Sequence, residues 1–132
     1  MSGSSGRNYT IDVSDDGIAV ARVRRRPDLD TNAGAEDAQE MVAAILVLAA
    51  SGVDALVLDL IDAPPIAGPR TMASLESLLR GWADGGGRVV VTIGASAVQR
   101  LQMEFLVTTV GSPAVRVMGS VDPAVAWLGL RA

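Results

Sequence analysis

Two short runs, residues 55–60 (ALVLDL) and 89–93 (VVVTI), are apolar almost without interruption. A strand with one face in water alternates apolar and polar residues. A strand apolar at nearly every position suits the middle of a parallel sheet with helices on both faces. After the first run comes a loop with Pro64-Pro65, and Pro69 fits the first turn of a helix. Met72, Leu75, Leu79 and Trp82 fall on one helical stripe, and Gly85-Gly86-Gly87 ends it. After the second run a helix is expected from Ser96, with Val98, Leu101 and Phe105 on one side. Residues 114–118 read as a further strand, and Asp122-Pro123 as an N-cap and first position of a last helix through Leu128.

The first third supplies a hairpin and a helix. Residues 9–13 alternate, Asp15-Asp16-Gly17 is a turn signal, and residues 18–24 form the return strand. Thr31 or Asn32 is positioned to cap a helix that runs to about Ala50 and stops at Gly52. The order ββαβαβαβα predicts a single α/β domain over residues 9–130. Its sheet is mostly parallel, with an antiparallel N-terminal edge strand and helices packed on it. Residues 1–8 are expected to be a flexible tail, because residues 1–6 are rich in Ser and Gly, with no apolar stretch behind them to make a signal or transit peptide.

Composition narrows the chemistry. The 132 residues contain no Cys and no His, and all 11 basic residues are Arg. Disulfides, thiolate chemistry, the common zinc ligand sets, the usual neutral-pH general base and a Schiff-base or phosphate-loop lysine are all excluded. The net charge of −4 argues against a nucleic-acid footprint. The longest apolar run, residues 41–50, is half of the ~20 residues that span a bilayer, so no membrane span is expected and the cytoplasm is the default compartment. Gly85-Gly86-Gly87 follows a helix and enters a strand, the reverse of a phosphate loop. Asp59 and Asp62 are an isolated pair of acids, so no catalytic residue, metal ligand or cofactor is assigned, and the chain is expected not to be an enzyme.

Several strings, taken in order, resemble the STAS domain of anti-sigma-factor antagonists. Residues 17–23 (GIAVARV) are similar to its opening strand and residues 27–31 (PDLDT) to its loop before the first helix. Residues 57–60 (VLDL) are similar to its central strand, residues 86–91 (GGRVVV) to its next strand entry, and residues 121–128 (VDPAVAWL) to its closing helix. The resemblance implies a bacterial partner-switching module that binds a kinase-like anti-sigma factor and is released by phosphorylation at the start of the second helix. The family's Asp-Ser-Ser/Thr-Gly pattern is missing there; its acceptor column falls at about Gly68, and the nearest hydroxyls are Thr71 and Ser74. These two are the phosphoacceptor candidates.

Three other features carry expectations. Asp59 closes a buried-type strand, where its carboxylate is expected to accept backbone N–H bonds at the following helix. Arg22, Arg24, Arg25 and Arg26 read as a charged edge that discourages strand pairing. Residues 41–48 (MVAAILVL) are apolar around the whole helix circumference, which leaves an outward stripe for a partner or a second copy of the chain. The interaction candidates are therefore Gly68, Arg70, Thr71, Ser74, Val42 and Leu46, with a homodimer through helix one among the expected partners. The expected function is a non-catalytic regulatory or scaffold module that binds a protein. The alternative is a lipid- or nucleotide-binding domain with its cavity under Trp82 and Phe105.

Overall fold

A computed structural model describes residues 3–129. Ten elements follow in order: β1 (Gly3–Ser5), β2 (Tyr9–Val13), β3 (Ile18–Val23), α1 (Thr31–Ala50), β4 (Ala55–Asp59), α2 (Pro69–Asp84), β5 (Arg88–Thr92), α3 (Ala97–Val110), β6 (Val115–Met118) and α4 (Val121–Gly129). The six strands form one sheet in sequential order. β1, β2 and β3 are mutually antiparallel, and β3 through β6 are parallel. The chain is an α/β domain with a mostly parallel sheet, as its strand pattern predicts.

The two apolar runs explain themselves in the layers. Leu56, Leu58, Val89 and Val91 point to one face, where they share a core with Met41 and Ile45 of α1, Leu75 and Leu79 of α2, and Met103 and Leu106 of α3. Their neighbours Ala55, Val57 and Val90 point to the other face and pack with Ile18 and with Ala124 and Leu128 of α4. Alternate residues of one strand enter opposite layers, so a strand covered twice is apolar at every step. All five residues of β4 are buried.

The β2–β3 hairpin closes as its turn chemistry requires. Gly17 takes φ 80°, its N–H donates to the Ser14 carbonyl, and Ser14 N–H donates to Ile18. Three details differ from expectation. Residues 3–5, inside the segment expected to be a tail, form β1 on the outer edge of β2, because a lone hairpin strand leaves a free row of backbone donors and acceptors. The cap of α1 is Asp30, one residue before Thr31, whose carboxylate accepts from Ala33 N–H. α4 begins at Val121, which puts Asp122 inside its first turn. The Val98, Leu101 and Phe105 side of α3 faces outward, and Gln99, Met103 and Leu106 face the core. No helix among the described residues is long and apolar enough to cross a membrane.

Candidate functional site

Parallel strands deliver their carboxyl ends to one edge of the sheet, and there the chain must turn into helices. In open α/β sheets this edge is where crevices form. Here Val23 and Leu60 at the strand ends, Thr31 and Ala38 on α1, and Gly68 and Thr71 at the start of α2 enclose a cavity of about 360 Å³. α2 starts without a side-chain cap, because Gly68 has none to offer and Pro69 fills the first position. The Thr71 hydroxyl on the cavity wall has no hydrogen-bond partner among the described residues.

Two glutamines on α3 hold the wall open. The Gln102 amide accepts from Ala67 N–H and donates to Ala67 C=O, both at 2.9 Å. Gln99, 4% exposed, accepts from Gly94 N–H and donates to Leu60 C=O, both at 2.8 Å. Each side chain replaces a sheet partner for loop backbone that has left the ladder, so these loops stay tied to α3 beside the cavity.

The opposite wall carries charge. Asp37 of α1 is 1% exposed, and its Oδ1 accepts from Arg7 Nε at 3.0 Å and Nη2 at 2.9 Å. That bond and the Asp37 charge hold the Arg7 guanidinium above its ordinary pKa. Oδ2 of Asp37 is buried with no hydrogen-bond partner among the described residues. Nearby, the Tyr9 hydroxyl donates to Glu40 Oε1 at 2.8 Å; burial first, then this bond, pushes its pKa up to about 12. Arg26 on the cavity rim pairs with Asp28, which lowers the Asp28 pKa and raises that of Arg26.

The predicted site residues fall into two neighbouring depressions. Gly68 and Thr71 line the cavity. Arg70, Ser74, Val42 and Leu46 line a shallow groove between α1 and α2. Val42 is 8% exposed and forms its floor, so of the two α1 candidates Leu46, 37% exposed, is the one that reaches solvent. Asp59 is buried on the α4 side of the sheet, where it accepts from Arg22 Nε and Thr92 Oγ1 at 2.9 Å and from Ile61 N–H at 3.1 Å. Its backbone bond goes to the loop and not to α2, and Arg22 leaves the expected arginine edge to pair with it. The space under Trp82 and Phe105 is closed at the first and absent at the second. Trp82 is 2% exposed with its indole N–H donating to the carbonyls of Asp54 and Arg88, and Phe105 is 68% exposed. The cavity lies at the other end of the strands, next to residues the sequence reading passed over: Asn8, Asp37, Gln99 and Gln102. Asp37 and Gln99 had a signal, since each is a polar residue on the core-facing stripe of its helix.

Beside the cavity lies an apolar rim. Seven large apolar side chains are exposed among the described residues, and five of them are Ile61 and Ile66 in the β4–α2 loop and Val98, Leu101 and Phe105 on α3. Ala67, next to Ile66, is bonded to Gln102 of α3, which places the loop alongside this helix.

No family model matches the chain, and no curated protein matches it.

Proposed function

We propose that this chain is a non-catalytic binding module of STAS-like character whose recognition surface is the α3 outer stripe and the adjoining β4–α2 loop. The observation that supports this reading is the concentration of exposed apolar side chains there, with Ile66, Leu101 and Phe105 each more than 60% exposed. Apolar patches gathered on one face mark protein contacts more often than scattered ones do. Two of the three, Leu101 and Phe105, are four apart and stand on the same side of a helix that already buries its other face. The start of α2, with Thr71 and Ser74, borders the same end of the molecule, which suits the partner-switching role implied by the family resemblance. A kinase-like anti-sigma factor is the partner class that resemblance names, acting in the cytoplasm; a second copy is the other protein occupant.

Affinity capture from a lysate of the source organism tests this. Wild-type protein and a Leu101→Asp/Phe105→Asp variant are compared, with Thr71→Glu and Leu46→Arg as separate controls for the α2 start and the α1–α2 groove. A protein retained by wild type and lost with the α3 variant is expected. Equal retention by both, or loss only with Leu46→Arg, overturns the assignment of the surface.

A further inference from the structure

We infer that the cavity at the carboxyl ends of β3 and β4 is a binding site for a small, uncharged, largely apolar molecule that donates a hydrogen bond to Asp37. The cleft offers about 360 Å³ between strand ends and helix starts, with the buried side chains Met41, Leu60, Leu75 and Met103 on its wall. The volume falls near the lower end of ligand pockets, about 300–1,000 Å³, which fits one or two fused rings. The Gln99 and Gln102 clamps hold the wall formed by the β4–α2 loop in place without help from the cavity's contents.

The wall's chemistry selects the ligand class. Every ionised side chain on it is already compensated: Asp37 by Arg7, Arg26 by Asp28, and Asp30 by the α1 backbone it caps. A phosphate or carboxylate would meet two acids with no free cation, and an organic cation would compete with Arg7. Among polar groups on the wall, Oδ2 of Asp37 is buried and lacks a donor among the described residues, at a cost of about 1–3 kcal/mol for an unsatisfied group. A ligand N–H or O–H would supply that donor if the carboxylate turned Oδ2 toward the cavity. The remainder of the wall, with Val23, Met41, Leu60, Leu75 and Met103, suits an apolar ring.

Indole and benzofuran test this, since they share a shape and differ by an N–H donor in place of an ether oxygen. Each is titrated into the full chain labelled with ¹⁵N. The expected result is saturable movement of the Gly34, Gly68 and Thr71 amide signals by indole, with benzofuran at least tenfold weaker. In Asp37→Asn the oxygen stays with Arg7 and an NH₂ replaces Oδ2, so the preference for indole is expected to vanish or reverse. Gly34→Leu, a second variant whose added side chain enters open space at the cavity wall, is expected to fold and to lose both ligands. Equal affinity of the two probes for wild type, shifts confined to other residues, or no binding of either up to its solubility limit would each overturn the inference.

Discussion

Asp59 shows how much one side chain can hold at a strand end. It is 4% exposed and ties together β3 through Arg22, β5 through the Thr92 hydroxyl, and the β4–α2 loop through Ile61 N–H. Asp59→Ala removes all three bonds and leaves the buried Thr92 hydroxyl unpaired. A loss of about 3 kcal/mol is expected, read as a lower urea midpoint, since bonds to a charged group are worth about 1.5–3 kcal/mol each and do not add. Gly87 is required for a different reason: a Cβ there would stand 2.5 Å from Trp82 Nε1, against an indole whose N–H is already committed to two carbonyls. Tyr9 gives a pH-dependent test. Unfolded tyrosine loses its proton near pH ~10, whereas the folded residue holds it to about 12. The raised folded value means that its contribution is complete below about pH 10 and is lost as pH climbs toward 12. Thermal melts of wild type should fall more steeply over that window than those of Tyr9→Phe; parallel curves would show that Tyr9 does not hold its proton more tightly folded than unfolded.

At the scale of elements, α3 carries two apolar faces with opposite fates. Met103 and Leu106 are each 2% exposed in the main core, and truncating either to Ala should cost about 2–5 kcal/mol. Leu101→Asp and Phe105→Asp, on the outer stripe, should change stability by only about 0.5 kcal/mol in either direction, as surface substitutions do. Chemical unfolding of the four variants separates the faces, and a large loss from Phe105→Asp would mean that the ring is structural. α1 and α2 meet differently. Gly81 of α2 approaches Leu46 closely enough that an added Cβ would touch its Cδ2 at 3.6 Å, so the upper groove is partly filled by α1's own side chain. That contact, and the burial of Val42, reduce the outward apolar stripe of α1 to Leu46 and Val47.

For the whole molecule, the sheet has a thick side and a thin one. Three helices cover one face, and α4 alone covers the other. α4 is fastened by Trp127, whose ring lies under two guanidinium groups, Arg88 at 3.9 Å and Arg116 at 4.6 Å from its centroid. Arg88 Nη2 also donates to the Trp127 carbonyl, at 3.0 Å. Each stacked cation contributes about 0.5–1 kcal/mol at such a partly exposed site. Trp127→Ala should therefore lower stability by about 1–3 kcal/mol, counting the lost apolar contact, and should raise amide exchange on the α4-facing residues Ala55, Val57 and Val90 first. Protection lost uniformly through the sheet instead would mean that α4 does not open as a separate unit.

The sequence by itself determined the layers. Residues 55–60 and 89–93 are apolar at both parities, which only a twice-covered parallel strand explains, and glycines and prolines at 17, 52, 69 and 85–87 mark boundaries that local backbone geometry enforces. Gly68 and Thr71, singled out at the α2 start as interaction candidates, stand on the cavity wall. Local signals reach a few residues, so they placed the helix stripes but could not say which stripe a neighbouring layer would cover. Tertiary structure decided that Val98, Leu101 and Phe105 stay exposed while Gln99 enters the core, because Leu60 after β4 offers a carbonyl and Gly94 after β5 an N–H, partners for a glutamine and not for an apolar side chain. It also brought Arg7 to Asp37, 30 positions away, and opened the cavity beside them, since a space bounded by the ends of β3 and β4 and by two helix starts exists only once the sheet has set their spacing.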